Sequence, residues 1–343
     1  MNVRLISEAI GLWYQGNKRA LPWRKTSDPY CVWVSEIMLQ QTRVDTVIPY
    51  YLRFIKQLPS VEALAQCEQE ELYKLWEGLG YYRRVSNMKA AAQQVMDDFN
   101  GQFPTTYEDL LSLKGIGEYT AGAIASIAYG LKTPAVDGNV CRVYTRLYEY
   151  PNDIKQAKTL KQIKEDMSLF YEYASASDLT QGFMELGATI CKVSQPECES
   201  CPINAYCKAY QQETIHLYPY ASKKKPSIVL HKTVYVLRYQ NMVALNMRGE
   251  QGVLKGLYEL VNVEGRQSQK EIVQWLKNRD LVYHHITLKK PMKHIFTHQT
   301  WMMKIVEVEC EEMSPSFNWY SIQEIQDHLP LPTAFKKIFD KVI

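Results

Sequence analysis

Several residues in this chain have the types and spacing for chemistry. Four cysteines, Cys191, Cys198, Cys201 and Cys207, follow a C-x6-C-x2-C-x5-C pattern. Thiolates grouped this closely can ligate a metal centre, and zinc and iron–sulfur fit the spacing equally well. The other cysteines, Cys31, Cys67, Cys141 and Cys310, are scattered, which argues against a disulfide framework. Glu36 lies in the apolar run Val32-Trp33-Val34-Ser35-Glu36-Ile37-Met38-Leu39. A carboxyl among such neighbours is desolvated, so its pKa rises and it suits a proton donor. Leu110–Ala125 reads as helix, turn, helix, with Lys114-Gly115-Ile116-Gly117 at the turn. Gly115 and Gly117 let the backbone turn tightly and approach a ligand closely. The N–H groups that open the next helix suit a phosphate oxygen, and such contacts hold a backbone without reading sequence.

These groups must be held by two different textures of chain. Residues 1 to about 210 read as mostly helical, with apolar residues at three- and four-residue spacing in Val61–Glu77, Val85–Phe99 and Thr159–Glu172. Ser60 precedes the first of these, and Thr105 and Thr106 precede a short helix over Tyr107–Leu113. Leu217–Ser227, with two prolines and three consecutive lysines, reads as a linker. Beyond it the period shifts towards two, giving strands over Thr233–Arg238, Met242–Met247, Leu281–Leu288 and Trp301–Glu309. A helix is expected over Glu271–Asn278 and a helical tail from Ser321 to Ile343. The expected fold is a mainly α domain over 1–215 with its metal loop at 191–207. A linker over 216–230 and an α+β domain over 231–343 complete it.

At 343 residues the chain is long enough for two cores, and 46% hydrophobic content is ordinary for globular domains. The N-terminal stretch reads as an amphipathic helix rather than a signal peptide, and no run has the apolar length of a membrane span. A cytoplasmic protein without membrane contact is expected. A net charge of +3 says little about nucleic acid, so any basic face must be local. Tyrosine (24 residues) and tryptophan (7) supply many stacking side chains, although most aromatics belong to cores.

The segment LKGIGEYTAGAIAS followed by AVDGNVCRV resembles the helix–hairpin–helix of DNA glycosylases that carry a glycine/proline-rich loop and a characteristic aspartate. The cysteine spacing is similar to that of the iron–sulfur members, and this resemblance implies a 4Fe–4S cluster rather than zinc. Leu21-Pro22-Trp23-Arg24, Trp33–Val44 (WVSEIMLQQTRV) and Trp76–Arg83 (WEGLGYYR) resemble the MutY family of adenine DNA glycosylases. That family removes adenine mispaired with 8-oxoguanine. The implied partner is double-stranded DNA containing A:8-oxoguanine or A:G, bound by a monomer.

The resemblance also implies roles. Glu36 would protonate adenine at N7, Asp137 would stabilise an oxocarbenium-like sugar or bond to it transiently, and Asn139 would hold a water or orient Asp137. Asp137 also suits the cap of a helix beginning near Asn139. Tyr119 stands where bifunctional endonuclease III-type relatives have an imine-forming lysine, so a monofunctional enzyme is expected. A stacked base must be flipped out before it can react. Gln41 and Tyr81 would wedge beside the lesion, Thr42 would touch the oxidised base, and Leu21, Trp23, Arg24, Gln181 and Met184 would line the adenine pocket. Lys114, Gly115 and Gly117 would grip the backbone. Ile228–Ile343 resembles a Nudix-related domain, but the glutamate-rich REXXEE-type core is missing after Gly256, which implies recognition rather than hydrolysis. Phe296-Thr297-His298 stands where the family has Phe-Ser-His for reading 8-oxoguanine. Two other readings are an endonuclease III-like glycosylase/lyase and a non-catalytic iron–sulfur lesion sensor. Tyr119 and the second domain argue against the former, and the pair Glu36 and Asp137 against the latter.

Overall fold

The computed structural model describes residues 2–222, 226–249 and 253–343. The lysine run Lys223-Lys224-Lys225 of the expected linker lies outside the described residues. The chain forms two compact units: Met1–Cys67 with Ser86–Lys223, and Glu68–Val85 with Lys224–Ile343. The second is therefore discontinuous in sequence, where the amino-acid pattern suggested one break near 216–230.

The first unit is helical: α1 (Val3–Asn17), α2 (Pro29–Leu39), α3 (Val44–Gln57) and α4 (Val61–Gln66) open it. After α5 (Gln69–Leu75), which belongs to the second unit, come α6 (Arg83–Asp98), α7 (Tyr107–Ser112), α8 (Glu118–Tyr129) and α9 (Gly138–Tyr148). α10 (Ala157–Ser168), α11 (Ala176–Thr189) and α12 (Lys208–Gln211) follow. The helix expected over 61–77 is broken, because Cys67 leaves the helical region (ψ 137°) and separates α4 from α5. Periodicity ran through that break without marking it. The helix expected to Glu172 tightens after Ser168 into a 3-10 turn over Leu169–Glu172.

α2 starts on Asp28, whose side chain accepts from the Cys31 N–H, with Pro29 in the first turn where no N–H is needed. It is apolar nearly all round and buried from Val32 to Met38, packing against α3 and α8. α11 packs against α1, α8 and α9. Gly187 makes the last approach possible, since a Cβ there would lie 2.5 Å from the Asn139 Cβ. The core joins Ile6 and Ile10 of α1 to Tyr144 and Leu147 of α9 and Leu179 and Phe183 of α11.

In the second unit the described residues form seven strands. They are β1 (Ile228–Tyr239), β2 (Met242–Met247), β3 (Tyr258–Leu260), β4 (Asn262–Glu264), β5 (Tyr283–Ile295), β6 (Gln299–Cys310) and β7 (Asn318–Ser321). The order is β3-β2-β1-β6-β5, with β4 on β1 and β7 on β2. β1 pairs parallel with β6 from Ile228↔Gln299 to Arg238↔Glu309, so it begins before the expected strand start and inside the expected linker. Alternation along β1 splits two cores. Val234 and Val236 face Trp301 and Phe335, whereas Tyr235 and Leu237 face Ile272 and Trp275. Helix α13 (Gln269–Lys277) covers the latter face, and α14 (Ile322–Asp327) and α15 (Thr333–Val342) the former. The expected continuous tail is thus two helices, interrupted at Leu329-Pro330-Leu331-Pro332, where residues before proline avoid the α region. Among the described residues no helix is long and apolar enough to cross a membrane.

Candidate active site

In the first unit, α2, α8, the head of α9 and α11 surround a cavity of about 580 Å³, within the range of ordinary small-molecule sites. Its lining includes Glu36, Tyr119, Asp137 and Asn139, together with Leu21, Trp23, Arg24, Gln181 and Met184. Gln41 and Thr42, just after α2, also contribute to the lining. Residues as far apart as 21 and 184 are thereby brought to one place.

Glu36 is only 6% exposed. Burial pushes its carboxyl up to about 7; the nearby Asp137 carboxylate adds to the rise, while a hydrogen bond from Tyr119 and the charge of Arg24 oppose it. The Tyr119 hydroxyl donates to Glu36 Oε2 at 2.6 Å and lies 3.9 Å from Met184 Sδ. Burial, with the neighbouring carboxylates, raises the Tyr119 phenol well above its ordinary range, so it stays protonated and acts as a donor.

Asp137 caps α9: its Oδ1 accepts from the Val140 N–H at 2.8 Å. Its Oδ2 accepts from Asn139 Nδ2 at 2.8 Å. Burial pushes this carboxyl up, and those donors together with Arg142 pull against it. Arg142 Nη2 donates to Asn139 Oδ1 (2.8 Å) and to the Gly187 carbonyl (2.8 Å), and its Nε donates to the Cys191 carbonyl (2.7 Å). One guanidinium thus links the cap of α9 to the first cysteine of the loop.

Arg24 sits in the 3-10 turn Pro22–Lys25, its guanidinium 5.4 Å from the Tyr14 ring. Trp23 meets Tyr51 edge to face at 5.4 Å. The Gln181 amide is held on its own helix by Ser177 Oγ at 3.1 Å. Glu185, one turn beyond Gln181 on α11, was not anticipated, nor was Arg19. Glu185 is 1% exposed and accepts from Arg19 Nε (2.7 Å), Arg19 Nη2 (2.8 Å), the Arg19 N–H (3.0 Å) and Arg24 Nη2 (2.7 Å). The available signal was the apolar flank Gly182-Phe183-Met184-Glu185-Leu186-Gly187, the same kind that marked Glu36.

At the helix–turn–helix, Gly115 has φ +77°, and a Cβ there would lie 2.6 Å from Asn87 Cβ, so glycine is required. Gly117 caps α8 without a side-chain bond and faces open space. Lys114 and both glycines are exposed, and none lines the cavity.

The four cysteines follow α11 in a loop of short turns. Cys191, Cys201 and Cys207 are partly buried against the helical core. Arg146 Nη1 donates to Cys191 Sγ at 3.3 Å. Burial pushes the thiols of Cys198, Cys201 and Cys207 up, Cys201 to about 12. A soft centre that takes thiolates would offset that cost, although among the described residues no group of three or more His, Cys, Asp or Glu side chains is placed to hold a metal ion.

In the second unit, the segment Trp76–Arg84 carries Tyr81, which is 46% exposed with φ +50°. Gly78 (φ 102°) and Gly80 (φ 72°) flank the turn, and Trp76 Nε1 donates to the Gly80 carbonyl at 3.0 Å. Phe296, Thr297 and His298 form the tip between β5 and β6, closed by the Phe296 N–H to the Gln299 carbonyl at 2.8 Å. Thr297 and His298 are exposed, whereas Phe296 packs edge to face on Trp301 at 4.7 Å. The Tyr81 hydroxyl and Thr297 Oγ1 are 3.0 Å apart. Gln41, like Tyr81, is an exposed non-glycine residue with left-handed backbone (φ 58°).

Helix–hairpin–helix architecture around a carboxyl-lined cavity is that of the HhH-GPD superfamily of base excision DNA repair proteins, which matches residues 34–168; a NUDIX domain matches 233–341. A thermostable thymine-DNA glycosylase structure superposes with a TM-score of 0.56 at 28% identity, over 61% of this chain and 97% of that one. Similarity to the adenine DNA glycosylase of Buchnera aphidicola subsp. Baizongia pistaciae (strain Bp) is 33% identity, over 100% of this chain and 98% of the relative. Similarity to that of Homo sapiens is 42% identity, over 58% of this chain and 38% of the relative. The chain belongs to the adenine DNA glycosylase family.

Proposed function

We propose that the chain hydrolyses the N-glycosidic bond of adenine opposite 8-oxoguanine or guanine in double-stranded DNA and leaves the strand intact. The observation that carries this reading is the set Glu36, Tyr119 and Asp137 in one cavity. It contains a buried carboxyl near 7, a second carboxylate held by N–H donors, and a phenol where an imine would need an amine.

The adenine leaves the stack and enters the cavity, where Arg24 and Gln181 read it between the apolar side chains of Leu21, Trp23 and Met184. Protonated Glu36 gives its proton to N7, so the base departs neutral as the C1′–N9 bond breaks. Positive charge then develops on the sugar, and Asp137, oriented by Val140 and Asn139, faces it. Water forms the new bond to C1′, and the carboxylate left on Glu36 takes the water's proton. Tyr119 has no amine, so no imine forms and no strand cleavage follows.

Lys114, Gly115 and Gly117 are proposed to hold the backbone, and Gln41, Thr42 and Tyr81 to fill and read the gap. Phe296, Thr297 and His298 would read the oxidised guanine within a domain over 231–343. Cys191, Cys198, Cys201 and Cys207 are proposed to hold a 4Fe–4S cluster whose contribution is structural, bracing the loop after α11. Action as a monomer in the cytoplasm completes the proposal. It is tested by base release from A:8-oxoguanine, A:G, A:T and damaged-pyrimidine duplexes, with strand cleavage scored before and after alkali. Adenine release opposite 8-oxoguanine with nicks only after alkali is expected; nicking without alkali would overturn the monofunctional reading.

A further inference from the structure

A carboxylate with no assigned part in the reaction lies in the cavity wall beside Glu36's neighbours. Glu185 is 1% exposed and receives both Arg19 and Arg24. Burial alone would push its carboxyl up, but the two arginines outweigh burial and hold it at about 2, so it is ionised throughout the working range. We propose that Glu185 is a positioning and charge-balancing residue that fixes Arg24 in the cavity wall and cancels the positive charge Glu36 would otherwise face. The inference rests on the reading of Glu36 as the acid.

Geometry supports both halves of this. Arg24 is held from two sides, its Nη2 on Glu185 Oε2 at 2.7 Å and its Nη1 on the Arg19 carbonyl at 3.2 Å, so it presents one face. α2 packs against α3, α8 and the Pro22–Lys25 turn. The groups acting on Glu36 are Tyr119 from α8, Asp137 from the head of α9 and Arg24 from the turn; α3 contributes only Val44 to the lining. With Glu36 protonated, the two lining arginines are balanced by Asp137 and Glu185. Without Glu185 the same lining carries a net positive charge, which favours loss of the Glu36 proton.

The test is single-turnover adenine release by the full chain from an A:8-oxoguanine duplex between pH 5.5 and 9. Glu185→Gln should move the alkaline limb down by about one pH unit, giving about a tenfold loss at pH 8.5 and a small one at pH 5.5. Glu185→Asp keeps the charge and should leave the limb in place even where the rate falls. Arg24→Gln should move the limb the other way, and the Arg24→Gln/Glu185→Gln pair should bring it back towards the wild-type position. Should Glu185→Gln fail to fold, the limb of Arg24→Gln decides. A wild-type limb that neither variant displaces, or a loss equal at every pH, would overturn the inference. A wild type with no alkaline limb would instead refute Glu36 as the acid, and this inference with it.

Discussion

The Tyr119 hydroxyl donates to Glu36 Oε2 across 2.6 Å inside the cavity, and this bond opposes the rise that burial imposes on Glu36. Tyr119 therefore restrains the acid rather than replacing it. Tyr119→Phe should raise Glu36 further and carry the alkaline limb of base release up by about one pH unit, since a hydrogen bond to a charged group is worth about 1.5 kcal/mol. A pH–rate profile measures this, and a limb that moves downward would contradict it.

Glu36 also leaves a mark on stability. Its folded-state pKa of about 7 lies above the ordinary 4.5, so its proton stabilises the folded state at low pH. That contribution is complete below about 4.5 and lost as pH rises through about 7; keeping the carboxylate buried at pH 8 costs roughly 3 kcal/mol. Glu36→Gln, which cannot ionise, should release no adenine yet melt higher than wild type at pH 8, with the gap closing by pH 5. Melting curves at both pH values check it; a gap that does not depend on pH would count against a buried, titrating Glu36.

Asp137 combines a cap with a proposed catalytic part, and two substitutions separate them. Asparagine caps a helix about as well as aspartate, while alanine costs about 1 kcal/mol. Asp137→Asn should keep near-wild-type stability and Asp137→Ala should lose that amount. Both should drop the excision rate by on the order of 100-fold, because neither supplies a negative charge to the sugar. An Asp137→Asn protein with substantial turnover would leave only the cap.

Tyr81 and Thr297 share one bond, so their effects should not add. Tyr81→Phe and Thr297→Ala are each expected to reduce the preference for A:8-oxoguanine over A:G, and the double variant to do little more. A coupling of about 1 kcal/mol is expected from a double-mutant cycle. Thr297→Ser keeps the hydroxyl and should retain the preference. Full additivity would separate the two residues.

Apolar flanks alone were enough to mark Glu36 as buried, and the glycine at 115 was legible as a conformational need. The same flank rule applied to Glu185 would have found the second buried carboxylate, but its arginine partners come from residues 19 and 24 and no local pattern pairs them. Likewise Arg142 reads as an ordinary helical arginine until α9, α11 and the Cys191 loop are brought together. Strand β1 extends beyond its expected start because its first residues are exposed and are held by parallel pairing to β6, whose partner residues lie 71 positions further along the chain. Local propensity carries element type well; it carries little about which distant backbone an element will meet.

The grouping of Glu68–Val85 with the C-terminal sheet has a consequence for any allele that stops early. Lys74 Nζ donates to the Ile325 and Leu329 carbonyls, the Leu331 N–H donates to Glu77, and Lys336 pairs with Glu77. A premature stop after the lysine run would strip every one of those anchors from a stretch encoded far upstream. The message lost from the last third of the gene is therefore partly about Tyr81. The second unit is threaded through the reading frame of the first, so such a stop spares the first unit's sequence and leaves Glu68–Val85 without its sheet.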